Sequence, residues 1–128
     1  MALVASEKAR HLCGLILVAA PGRPMGTILR EQLSANPANA PLLPDATSAI
    51  ERLEKGERVD VGAMHPALQG LFAPGVQGYL IDMLSRDPAA LLAGVDLPTL
   101  IVQGGRDLQI AVADGEALHG GKPSATYV

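Results

Sequence analysis

Hydrophobic and polar positions alternate between two textures along this chain. Three short segments have strand texture: the fully apolar "LILVAA" at 15–20, the short, branched and apolar "PTLIVQ" at 98–103, and the closing "SATYV", whose strand is expected over 125–128. Each is bounded by Pro or Gly, which reads as strands buried on both faces of a parallel sheet. Ahead of the first, "ALVASEKARH" (2–11) holds good helix formers, with Glu7 and His11 one turn apart. Behind the second, "IAVADGEALHGG" (110–121) reads as a helix closed by Gly120 and Gly121.

Between residues 21 and 96 the apolar residues fall at helical spacing instead, in short pieces punctuated by prolines at 21, 24, 37, 41, 44, 66, 74 and 88. "MGTILREQLSAN" sets Ile28, Leu29 and Leu33 on one face. In "DATSAIERLEKGE", Asp45 is the expected N-cap. Ala46, Ala49, Ile50 and Leu53 form the apolar stripe, Glu51 faces Lys55, and Gly56 is the stop. "HPALQGLF" places Pro66 in a first helical turn. "GVQGYLIDMLSRD" predicts a buried face of Val76, Tyr79, Leu80, Met83 and Leu84, and "DPAALLAG" restarts a helix with Asp87 as cap. No strand signal interrupts this stretch.

The predicted order is therefore helix, strand, helical insert over 21–96, strand, helix, strand. That is an α/β pattern: a partial parallel sheet of about three strands, with right-handed crossovers and a helical block inserted between two of the strands. The insert is large for a plain doubly wound fold, whose connections are mostly short.

Composition narrows the function classes. Hydrophobic residues make up 48% of the 128 and aromatics 2%, with Phe72, Tyr79 and Tyr127 present and no Trp. The core is aliphatic, and stacking platforms for single-stranded nucleic acid are missing. A formal charge of 10 − 13 = −3 argues against binding a phosphate backbone. Cys13 is the one cysteine, so no intrachain disulfide can form; the chain fits a reducing, cytoplasmic setting, and Cys13 is expected to be a small buried packing residue. The longest apolar run, Leu12 to Ala20, is too short to span a bilayer, and Glu7, Lys8 and Arg10 interrupt any signal-peptide pattern.

Weaker signals have bland readings. "GVQGY" and "LHGGKP" do not link a strand to a helix as a phosphate loop does, and no cofactor or metal is expected. Glu51, Arg52, Glu54, Lys55, Glu57 and Arg58 form a solvated helix face. Met25, Met64 and Met83 fill packing gaps, or alternatively line an apolar acyl pocket.

The candidate for chemistry is Asp107, in "PTLIVQGGRDLQI" (98–110). In parallel α/β sheets function gathers at the C-terminal ends of strands, and Gly104 and Gly105 permit a tight turn there. A carboxylate so placed could orient a histidine; equally, it could be a cap or loop aspartate before the next helix. Gln109 could bond near it or sit in the first helical turn.

The segment "VDLPTLIVQGGRDLQIAVADGEAL" (95–118) resembles the acid-bearing strand and turn of the α/β-hydrolase fold, matching P-T-L-I-V-x-G-x-x-D-x-Q from Pro98 through Asp107 to Gln109. Upstream, "ALVASEKARHLCGLILVAAPGRPMG" is similar to the helix and strand that follow the nucleophile elbow, and the insert resembles the lid of lipase- and peptidase-like members. The resemblance implies a serine hydrolase acting on a carboxylic ester, or secondarily an amide, with Asp107 as the triad acid.

The chain departs from that pattern in two places. Ser6, Ser34, Ser48, Ser85 and Ser124 all lie outside the family's G-x-S-x-G frame, and the elbow is expected just before Met1. The family histidine follows a strand that here ends at Val128; His11, His65 and His119 do not match its position and are expected to be structural or surface residues, His119 complementing the dipole of the helix it closes. The resemblance thus implies part of a hydrolase that carries lid and acid. The alternative is a non-catalytic interaction or oligomerisation module that self-associates through an exposed sheet edge.

Overall fold

The computed structural model describes residues 2–7 and 10–128. The chain divides into two compact units, one comprising the described residues up to Pro24 together with Asp87–Val128, the other Met25–Arg86.

The first unit is built on three parallel strands in the order β1 (Leu15–Val18), β2 (Thr99–Val102), β3 (Thr126–Tyr127). Leu15 pairs with Thr99 and Val18 with Val102, while Leu100 pairs with Thr126. This is the expected α/β arrangement, with each strand trimmed at its ends. β1 stops at Val18 because Ala19 turns into the left-handed region at φ 46, still donating its N–H to the Val102 carbonyl at 2.9 Å.

Helices α1 (Ala2–Ser6), α6 (Pro88–Ala93) and α7 (Val112–Gly121) supply Leu3, Leu92 and Leu118 to a core shared with Leu15, Leu17, Val95, Ile101 and Ala125. α1 is shorter than the expected 2–11: Ser6 turns its hydroxyl back onto the Leu3 carbonyl at 2.7 Å, and Arg10 and His11 lie in a turn. The residues between, Lys8 and Ala9, lie outside the described ones.

Two expectations fail here. The strand "LILVAA" is not buried on both faces. Leu15 and Leu17 are buried, but Ile16 and Val18 are 66% and 65% exposed, because the described helical side chains gather on the other face. Cys13 is exposed rather than buried, since it sits in a bend before β1 where nothing packs on it.

The second unit is all helical: α2 (Met25–Ala35), a 3-10 segment (Pro37–Leu42), α3 (Leu43–Glu54), α4 (Pro66–Leu71) and α5 (Gln77–Leu84). The stripe Ala46, Ala49, Ile50 and Leu53 is buried as its spacing requires, packed with Ile28's neighbours Leu29 and Leu33 and with Val59, Leu68, Phe72, Leu80 and Leu84. Met25, Met64 and Met83 pack against this core. Caps fall where polar side chains can reach free N–H groups: Asn36 to Ala38 at 3.0 Å, His65 to Ala67 at 3.2 Å. In the first unit Asp87 caps α6 through Ala89 and Ala90, as expected. Gly56 ends the α3 turn at φ 81.

Three details of this unit differ from the pattern. α3 begins at Leu43, fed directly by the 3-10 segment, so Asp45 lies inside the first turn, where its charge favours the helix dipole, and is not the cap. The ion pairs around α3 are Arg30–Glu54, bidentate at 3.0 and 2.8 Å, and Arg52–Glu57 at 3.3 Å; among the described residues none joins Glu51 to Lys55. On α5, Val76 and Tyr79 are exposed and Gln77 is buried in their place. Gln77 accepts from the Val59 N–H at 3.0 Å and donates to the carbonyls of Val59 (2.9 Å) and Phe72 (2.8 Å), which accounts for its burial.

Candidate functional site

β2 ends at Val102 and the chain turns through Gln103, Gly104 and Gly105 to Asp107. The Asp107 N–H donates to the Gly104 carbonyl at 3.3 Å, closing the turn. Asp107 Oδ1 accepts from the backbone N–H groups of Gln109 at 2.8 Å and Ile110 at 3.0 Å. The Ile110 N–H, then the Gln109 N–H, holds this exposed carboxyl below its ordinary pKa, against a small opposing effect of burial. Asp107 does not cap α7, whose N-cap is Ala111 with no side-chain bond. The Gln109 backbone, ahead of α7, bonds the acid directly. Beside it Leu108 is 98% exposed, an apolar side chain standing free next to the carboxylate.

The turn is braced from the sheet side. Gln103 Nε2 donates to the Ile110 carbonyl at 2.8 Å and to that of Gly104 at 3.3 Å.

A second fastening lies after β1, and nothing in the sequence pattern singled it out. Asp114, in the first turn of α7, is fully buried. Its Oδ1 accepts from the N–H groups of Gly22 (3.0 Å) and Arg23 (3.1 Å), and its Oδ2 pairs with Arg23 Nη2 at 3.0 Å. Burial pushes its pKa up, but the Arg23 side chain, the two N–H groups and the Arg23 charge outweigh this and hold it low. Gly22 is required: a Cβ there would lie 1.9 Å from the Asp114 carbonyl oxygen. The segments leaving β1 and β2 are thus both tied down near the start of α7. A carboxylate at 114 in an otherwise largely apolar helix is the signal that could point to it.

The other expected residues lie elsewhere. His11 is exposed in a turn, and His65 is engaged as the α4 cap. His119 stacks on Tyr127 with ring centroids 5.5 Å apart, and its Nδ1 has no partner among the described residues. Ser34 and Ser85 turn their hydroxyls onto the carbonyls of Glu31 and Asp82, as Ser6 does on Leu3. Among the described residues no group of three or more His, Cys, Asp or Glu could hold a metal ion, and no helix is long and apolar enough to cross a membrane.

No family model matches the chain. Part of it is similar to an esterase. Over 103 residues it is 30% identical to esterase EstD of Thermotoga maritima, an overlap covering 80% of this chain but 24% of that protein. The chain thus spans about a quarter of the length of this curated relative. Among solved structures, Rv0554 of Mycobacterium tuberculosis superposes with a TM-score of 0.50 at 17% identity, over 99% of this chain and 52% of that one, which shows a shared fold.

Proposed function

We propose that this chain is the part of a serine hydrolase of the α/β-hydrolase family that supplies the triad acid, Asp107, and a helical lid, drawn from residues 21–96. The substrate is a carboxylic ester, with amides the second choice. The serine, histidine and oxyanion donors come from outside these residues. The carrying observation is the Asp107 turn. One carboxylate oxygen is fixed by two N–H groups at the C-terminal end of a parallel strand. Oδ2 is left to accept from an imidazole Nδ1–H, to hold its tautomer and stabilise the imidazolium. The low pKa keeps that oxygen charged at neutral pH. Similarity to an esterase supports the reaction class.

In a longer protein carrying the serine and histidine, Asp107→Asn is expected to lower kcat by on the order of 10^4 with the fold retained. Activity within a few-fold of the unsubstituted protein would put the acid elsewhere. This chain alone should take up no fluorophosphonate; stoichiometric labelling of one of its serines would sink the proposal.

A second reading is a non-catalytic module that self-associates through the sheet. It is favoured by one observation: Ile16 and Val18 stand exposed on β1, a strand paired on one side only among the described residues.

A further inference from the structure

Gln103 is not used by the proposed chemistry, yet its side chain reaches across the turn that carries Asp107. Its backbone N–H is engaged by the Val128 carbonyl at 2.9 Å, so the residue is anchored in the sheet. Its Cβ lies close over α7, 3.0 Å from where a Cβ on Gly115 would sit. From that fixed base its carboxamide gathers the carbonyls of Gly104 and Ile110, the two ends of the loop. Ile110, held by its carbonyl, gives its N–H to Asp107 Oδ1.

We propose that Gln103 is the positioning residue for Asp107: by donating to the Ile110 carbonyl it closes the 104–110 loop and holds in place the N–H groups that orient the carboxylate. The need is physical. The loop is exposed, contains two glycines, and has nothing within 4 Å of a Cβ on Gly105, so an unbraced turn would lose its geometry to backbone entropy. Few side chains fit the role. Asn is too short to reach from the strand end, Glu offers no donor to a carbonyl, and Met fills the space without bonding. The consequence for catalysis rests on the reading of Asp107 as triad acid; the coupling between the two residues does not.

Amide hydrogen exchange on the full chain tests it. Gln103→Met should speed exchange at Gln109 and Ile110 about five-fold, the loss of one ordinary hydrogen bond, while β2 and α7 keep their protection. Gln103→Glu, which keeps the shape, should do the same and decides the matter if the Met variant loses protection throughout. In an Asp107→Ala background the Gln103 substitution should add nothing, because both act on the same two N–H groups. Unchanged exchange in both Gln103 variants, or effects of Gln103 and Asp107 that simply add, would overturn the proposal. If the coupling holds while Asp107→Asn leaves the longer protein's esterase activity intact, the positioning stands and the hydrolase reading falls.

Discussion

A single buried carboxylate sets the sharpest expectation at the residue scale. Asp114 satisfies two backbone N–H groups and the Arg23 guanidinium with no exposure of its own. Asp114→Ala removes the acceptor of the two N–H groups and of Arg23 Nη2. It should cost about 3 kcal/mol, the low end for breaking a buried pair because Arg23 keeps partial access to water. The loss should appear as a lower urea midpoint. The pH dependence has a definite sign. The folded pKa is depressed, so the stabilisation is present above the ordinary carboxylate value of about 3.9 and is lost as pH falls through the folded value. Stability measured downward from pH 5 should therefore fall more steeply in the unsubstituted chain than in Asp114→Ala. Gly22→Ala meets the same lock from the other side, and the clash with backbone should cost about 3 kcal/mol in the same measurement.

At the scale of elements, α5 shows how a polar residue can take a core position. Its apolar spacing nominated Val76 and Tyr79, yet Gln77 is the buried residue, tying the chain at Val59 and the end of α4 at Phe72 to α5. Gln77→Leu keeps the volume and removes three hydrogen bonds, leaving buried backbone groups unmatched. A loss of about 3 kcal/mol is expected in denaturant unfolding. Tyr79→Ser, on the exposed face, should shift stability by less than about 0.5 kcal/mol. Equal effects would mean that helical periodicity, and not hydrogen bonding, decides what this helix buries.

For the whole molecule, the expectation concerns the side of β1 that has no described neighbour. Ile16 and Val18 are flat, apolar and uncharged, on a strand with one described neighbour. Such a surface is a template for pairing with another chain. The chain alone is expected to self-associate. Val18→Lys should shift sedimentation toward monomer while leaving the sheet core of Leu15, Leu17 and Ile101 untouched. A clean monomer of the unsubstituted chain in sedimentation would refute the expectation.

What the sequence determined by itself is what short-range physics encodes. The three strands, the Ala46–Leu53 stripe, the Asp87 cap and the position of Asp107 just past a strand end all follow from spacing over a few residues and from the Gly and Pro that bound them. Tertiary structure decided the rest. Asp114 meets Gly22 and Arg23 across more than ninety residues of sequence, and Gln77 meets Val59 across eighteen; no local pattern marks such partners. Cys13 and the outer face of β1 look like core by composition, yet they are exposed. Burial depends on what packs opposite, which one strand's own residues do not specify.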